Sequence, residues 1–112
     1  MKCFFDEIDQ ACLMMLKGEF TSDHVDNFRR GVLSHLDENK VADFIVDCSE
    51  LDYVDSQGLE SLLWLTELAA ERLGQVRLVS LPDHIKTVLH MTRLESQLPA
   101  HDNVRGAMAS LM

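Results

Sequence analysis

The sequence predicts an α/β domain: a mixed, mostly parallel sheet of four to five strands flanked by about four helices. Three observations carry this expectation. Short apolar or β-branched runs alternate along the chain with longer stretches whose apolar residues recur every three or four positions. Glycine or proline marks the boundaries, at Gly18, Gly74 and Pro82. The resulting strand–helix–strand–helix–strand order is what a sheet with helical crossovers produces. At 112 residues the chain reads as one domain over its whole length, able to bury a core without disulfides or metal.

Each element has its own justification. Lys2–Phe5 is a short strand, and the acidic stretch Asp6–Asp9 is a turn. Ala11–Lys17 (ACLMMLK) is a continuous apolar run stopped by Gly18, as expected of a strand buried on both faces. Thr21, Ser22 and Asp23 supply capping groups for a helix, and Asp23 and Asp26 complement the positive end of its dipole. Val25, Phe28, Val32 and Leu36 form its apolar stripe, and Asn39-Lys40 closes it.

Val41–Ser49 (VADFIVDCS) is rich in β-branched and aromatic residues and reads as a strand. A second helix has an inner face of Leu59, Leu62, Leu63, Thr66, Ala69, Ala70 and Leu73 and stops at Gly74. Trp64 and Leu68, with Ser61 and Leu65, make a second apolar stripe that either packs under a neighbour such as the C-terminal helix or extends a partner surface. Val76–Leu81 is another strand, and Pro82 suits the first turn of a third helix carrying Ile85, Val88 and Leu89. After an irregular stretch around Leu98-Pro99, Asp102–Met112 forms a last helix through Val104, Met108 and Leu111.

Charge and cysteine content narrow the function. A net charge of −9 disfavours a nucleic-acid backbone or direct binding to an anionic membrane, and suits protein partners with basic patches. Cys3, Cys12 and Cys48 lack pairing or metal spacing and read as buried free thiols in a reducing compartment. The N-terminal MKCFFDEIDQ meets acids too soon for a signal peptide, and no apolar run approaches the ~20 residues of a membrane span. A cytoplasmic domain is expected.

Parallel crossovers bring the loops that leave the strands to one sheet edge, where sites gather. Three loops meet there: Gly18–Asp23, Glu50–Gln57 and Leu81–His84. The middle one holds Glu50, Asp52 and Asp55 before Ser56, with Gly58 and Glu60 just beyond. Ser56 precedes the helix and can be read as its cap, its oxygen accepting from an amide near Leu59, for ~1 kcal/mol. It can also be read as a hydroxyl that is modified and recognised by a partner. Gly58 lets a backbone, or a partner's surface, come close.

Catalytic and cofactor chemistries find little support. The five histidines never pair at zinc-site spacing, and Gly58 is a lone glycine where phosphate loops need several. Cys48 lies within a buried strand with no local nucleophile motif. Asp47 or Asp52 near a strand end suggests a receiver domain, but the acidic pair and lysine expected in its other loops are missing. No cofactor and no enzymatic activity are expected.

The segment FIVDCSELDYVDSQGLESLL resembles the signature of STAS domains, in particular the anti-sigma factor antagonists, with Asp-Ser-x-Gly-Leu opening a helix after a hydrophobic strand. Upstream, LKGEFTSDHVDNFRRGV is similar to the family's second strand and first helix, and VRLVSL and PDHIKTVLHMTRL follow in matching order. The resemblance covers essentially the whole chain. It implies a STAS-like fold and a binding switch without catalysis, in which a serine-kinase anti-sigma factor is the partner. That kinase would phosphorylate Ser56 and a metal-dependent phosphatase would reverse it. The partner surface it implies comprises Gly18, Glu19, Thr21, Asp23, Asp52, Asp55, Ser56, Gln57 and Gly58.

Three positions depart from the family pattern. Thr21 stands where an aspartate is usual, Gln57 replaces a second small hydroxyl, and Gly74-Gln75 replaces a frequent glycine pair. The alternative within the same resemblance is a STAS subunit of a lipid-transport ATPase complex, bound permanently to its partner. A further alternative is an output module of another partner-switching pathway.

Overall fold

The computed structural model describes residues 1–39 and 42–111. Its sheet has five strands in sequential order: Lys2–Ile8 (β1), Ala11–Phe20 (β2), Asp43–Val54 (β3), Val76–Val79 (β4) and Ala100–His101 (β5). β1 and β2 form an antiparallel hairpin, and β2 through β5 run parallel. The hairpin turns on Asp9 (φ 45°) and Gln10 (φ 74°), both left-handed as a two-residue type I′ turn requires. The first strand therefore extends three residues past the expected Phe5, and the turn lies at Asp9-Gln10 instead of Asp6–Asp9. Asp6 and Glu7 remain in the strand because their side chains point to solvent at the sheet edge.

Between the parallel strands come Val25–Asn39 (α1), Ser56–Glu71 (α2) and Asp83–Met91 (α3), and Val104–Ser110 (α4) follows β5. One sheet face carries the main core. Cys12, Met14 and Leu16 of β2 and Phe44, Val46 and Cys48 of β3 pack beneath Phe28, Val32 and Leu36 of α1, Leu62 and Leu65 of α2, and Ile85 and Leu89 of α3. The opposite face is covered by α4, where Ala107 meets Ile45 and Val79. That cover is partial: Leu13 and Met15 of β2 are half-buried and Phe4 of β1 is 52% exposed. β2 is thus sealed on one face and partly open on the other.

Several boundaries differ from the sequence expectation. The first helix is preceded by a 3₁₀ turn, Ser22–His24, whose N-cap residue Thr21 makes no side-chain cap bond. Val41, Lys40 and Met112 lie outside the described residues, and the third strand continues beyond Ser49 to Val54 because β2 also continues to Phe20 and pairs with it. Leu81 lies beyond the end of β4, and Pro82 is the N-cap of α3. The two-residue β5 has no sequence pattern of its own. Asn103 caps α4, its side chain accepting from the Gly106 amide at 2.8 Å.

The second helix is rotated from its expected setting. Ser61 and Leu65 are fully buried, whereas Ala70 is exposed and Leu73 is 97% exposed. α2 lies on the sheet and also touches α1, so its buried arc is wider than one stripe. Trp64 packs edge-on against Phe28 of α1, ring centroids 6.3 Å apart, with the Arg29 guanidinium 5.0 Å over its ring. Its neighbour is therefore α1 and not the C-terminal helix.

The helix also ends earlier than Gly74. Leu73 adopts φ 64°, its amide bonds to Ala70 O at 3.0 Å, and the Gly74 amide bonds to Ala69 O at 2.8 Å. These are the two bonds of a Schellman ending, with leucine at the left-handed position. Gly74 is required for a different reason: a Cβ there would lie 2.0 Å from the Ala42 carbonyl oxygen. Burial of the three thiols pushes the pKa of Cys3, Cys12 and Cys48 up to about 12.

Candidate functional site: the rim around Ser56

The rim at the C-terminal ends of β2 and β3 is built around one carboxylate. Asp55 is the N-cap of α2, and its Oδ1 accepts from the Gly58 amide at 2.9 Å. Its Oδ2 accepts from the Ser22 amide at 3.1 Å, and its own amide donates to Phe20 O at 3.1 Å. One residue therefore starts the helix and ties together two loops that are 33 positions apart in sequence. The third loop is attached by His84, whose Nε2 donates to the Asp52 carbonyl oxygen at 2.7 Å.

Ser56 does not cap the helix, contrary to the first of its two sequence readings, because Asp55 holds the Gly58 amide with its side chain and the Leu59 amide with its carbonyl. Ser56 is the first helical residue and is exposed, and its hydroxyl bonds to nothing among the described residues. Gln57, the next residue, is also exposed. Gly58 is buried, and the backbone that approaches it closely is the protein's own. A Cβ at position 58 would lie 2.5 Å from the Phe20 carbonyl oxygen and 2.7 Å from Val54 Cγ2.

The upstream residues line the neighbouring part of the rim. Gly18 has φ +102° and sits where the β2–β3 register shifts, a backbone setting that disfavours any residue with a side chain. Glu19 is exposed and lies opposite Tyr53 in the register. Thr21 is half-exposed, and Asp23 is exposed on the 3₁₀ turn. Asp52 is exposed, and Lys17 and Glu50 form a solvent-facing ion pair at 3.8 Å. Glu19, Asp23, Asp52 and Glu60 give the rim an acidic surface.

The structure brings the Gly18–Asp23 and Asp52–Gly58 segments together, but within that set Gly58 and Asp55 act as framework. Three further residues belong to the rim. Ser22 contributes the amide held by Asp55, His84 fastens the third loop, and Tyr53 is 51% exposed. Tyr53 could have been suspected as an aromatic residue among acids near the end of a strand. The roles of Ser22 and His84 depend on contacts over more than 30 positions and leave no local signal.

The rim is a solvent-facing, acidic surface. Among the described residues, no three His, Cys, Asp or Glu side chains are grouped to hold a metal ion. Cys48 is buried, with its Sγ directed to Val46 O at 3.7 Å. Asp47 accepts from the Ser49 amide at 2.9 Å. No helix of the described residues is long and apolar enough to cross a membrane.

Comparison with known proteins agrees with this architecture. The family profile described as "Mlab, STAS domain" matches residues 3–100. The chain belongs to the STAS domain family. It is 24% identical over 110 residues to BtrV of Bordetella bronchiseptica, described as an anti-sigma factor antagonist, spanning 98% of this chain and 94% of that one. Among solved structures, an anti-sigma factor antagonist from Thermotoga maritima superposes with a TM-score of 0.89 at 18% identity, over 97% of this chain and 93% of that one. The phosphorylated form of SpoIIAA from Bacillus superposes with a TM-score of 0.74 at 15% identity, over 99% of this chain and 100% of that one.

Proposed function

We propose that this protein is an anti-sigma factor antagonist that works by partner switching. Its rim binds a serine-kinase anti-sigma factor, which phosphorylates Ser56 and so ends the complex, and a phosphatase resets the serine. The protein itself is not an enzyme and acts in the cytoplasm. The observation that carries this reading is the division of labour between neighbours: Asp55 holds the helix start while the Ser56 hydroxyl stands exposed, with no bond among the described residues. Esterifying that hydroxyl breaks no bond among the described residues. The names of BtrV and of the solved antagonists support the same reading.

The electrostatics suit a switch that needs no refolding. A phosphate at Ser56 adds between one and a half and two negative charges at neutral pH. It would lie at the first turn of α2, where free amides and the helix dipole stabilise an anion. A partner docked over Glu19, Asp52, Asp55, Ser56 and Gln57 would instead meet extra charge on an already acidic surface. A penalty of ~3 kcal/mol lowers affinity roughly a hundredfold. Gly18, Thr21 and Asp23 frame the same surface, and Gly58 supports it from below.

The test is to isolate the binding partner by pull-down, incubate the complex with ATP and measure the intact mass of this chain. Ser56→Ala should keep binding and gain no phosphate, whereas Ser56→Asp should weaken binding. A Ser56→Ala chain that is still fully phosphorylated removes the site assignment. A stable complex with no phosphate turnover at Ser56 would favour the alternative, a permanently bound subunit of a lipid-transport ATPase complex.

A further inference from the structure

We propose that the free edge of β1 pairs with the β1 edge of a second copy, forming a weak antiparallel homodimer centred on Phe4. β1 is seven residues long, lies at the end of the sheet, and among the described residues pairs with β2 alone. Natural proteins usually shield such an edge, because its outward N–H and C=O groups invite pairing. Here the middle of the edge instead carries Phe4, 52% exposed on the sheet face that α4 leaves uncovered.

The hairpin geometry fixes which backbone groups are free. Ile8 and Ala11 flank a two-residue type I′ turn and form its hydrogen-bonded pair. Alternation then directs the even-numbered residues of β1 toward β2 and leaves the N–H and C=O groups of Cys3, Phe5 and Glu7 pointing outward. A second β1 related by a two-fold axis perpendicular to the sheet can bond to these groups.

The side chains select one register. Such an axis keeps each residue on its own face, so only pairings of even with even and odd with odd are allowed. Centred on Phe4, the pairing sets Lys2 opposite Asp6 of the second copy, twice, with the two Phe4 rings adjacent between them. Cys3 then faces Phe5 of the second copy. Centring on Phe5 would oppose Lys2 to Ile8 and Phe4 to Asp6, and centring on Asp6 would oppose two aspartates. The charges that normally guard an edge are here self-complementary in one register only. A contact of a few residue pairs is smaller than a standard interface, so the dimer forms at high protein concentration.

Cysteine trapping tests the register. At a non-hydrogen-bonded antiparallel pair the Cα atoms are about 4.5 Å apart, within the ~4.4–6.8 Å that a disulfide spans. In a Cys3→Ser background, Phe4→Cys should oxidise to a disulfide-linked dimer at least tenfold faster than Lys2→Cys. The two position-2 residues would be roughly 14 Å apart, four residues at ~3.4 Å each. Cys12 and Cys48 are buried, with thiols pushed up to about 12, and do not compete. In parallel, sedimentation of the unmodified chain should shift toward a dimer as concentration rises. Asp6→Lys should abolish that shift, and Lys2→Asp combined with Asp6→Lys should restore it. Equal cross-linking at positions 2 and 4, no cross-linking at either, or a concentration-independent monomer would overturn the proposal. It stands independently of Ser56, since neither measurement involves the kinase or its product.

Discussion

At the start of α2, Asp55 satisfies two backbone amides from different segments and Gly58 admits the Phe20 carbonyl, leaving at Ser56 an exposed hydroxyl with no bond among the described residues. At the other end, Leu73 holds a left-handed conformation while its side chain is 97% exposed, and Gly74 sits against the Ala42 carbonyl. Both ends use a glycine for close backbone approach. They differ in what surrounds it: at the start the Asp55 side chain and carbonyl hold the Gly58 and Leu59 amides with no left-handed residue, while the end keeps a leucine where glycine would be easier. α3 ends in the same way, with Arg93 at φ 60° and the Leu94 amide bonded to Leu89 O at 3.0 Å. Local economy is therefore observed where partners are expected to dock and relaxed where the chain merely turns.

The strongest way to break the comparison is at the two glycines. Gly74→Ala would place a methyl 2.0 Å from a backbone oxygen, and Gly58→Ala would place one 2.5 Å from another. Neither obstacle is a flexible side-chain tip, so the strands or the helix must shift. Each substitution should destabilise the domain by about 2–3 kcal/mol. Thermal unfolding should show Tm lower by roughly 10 °C. A change below about 1 kcal/mol would mean that these approaches are looser than described.

Asp55 comes next in size. Asp55→Ala removes the α2 cap and frees the Ser22 amide together, and should cost about 1–2 kcal/mol. Asp55→Asn retains an acceptor for Gly58 but loses one carboxylate oxygen, so it should cost about half as much. Hydrogen exchange should rise at Gly58 and Ser22 in the alanine variant and mainly at Ser22 in the asparagine variant. Equal exchange at both sites in both variants would show that the two loops are not held by this side chain.

The relaxed end should respond in the opposite direction. Leu73→Gly relieves a left-handed backbone at a residue whose side chain contacts almost nothing. It should raise stability by about 0.5–1 kcal/mol, seen as an upward shift in the denaturant midpoint. A loss of stability would indicate that the leucine side chain has a role beyond its exposure.

Much of this contrast follows from how far apart the determining residues lie. The stripe of Phe28, Val32 and Leu36 was readable because a helix repeats its buried face every three to four residues. The order of strands and helices, and the convergence of three loops on one rim, were readable for the same reason. The choice of Asp55 over Ser56 as cap was not. Both residue types cap well, and the decision rests on the Ser22 amide and Phe20 carbonyl, which reach Asp55 only after folding. The expected stop at Gly74 named the right residue for the wrong cause, since the left-handed position is Leu73 and Gly74 is needed for space. The extension of β1 to Ile8 was hidden by Asp6 and Glu7, whose polarity suits a turn as well as an edge strand. Trp64 found α1 instead of α4 because helix-to-helix placement is a property of the whole sheet.

The smallest expected effect on stability is the one most closely tied to function. Ser56→Ala removes a hydroxyl that bonds to nothing among the described residues, and alanine is a better helix former than serine. Unfolding free energy should stay within about 0.5 kcal/mol of the parent. Ser56→Asp puts a negative charge in the first turn of α2, where the dipole favours it, and should raise stability by about 0.3–1 kcal/mol. If the rim docks as proposed, the same aspartate lowers partner affinity, so stability and binding move in opposite directions at one position. Denaturant titration and binding measured on the same pair of variants check both halves. A Ser56→Asp chain that is both less stable and weaker in binding would trace the weakened complex to a damaged helix start and remove charge repulsion as its cause.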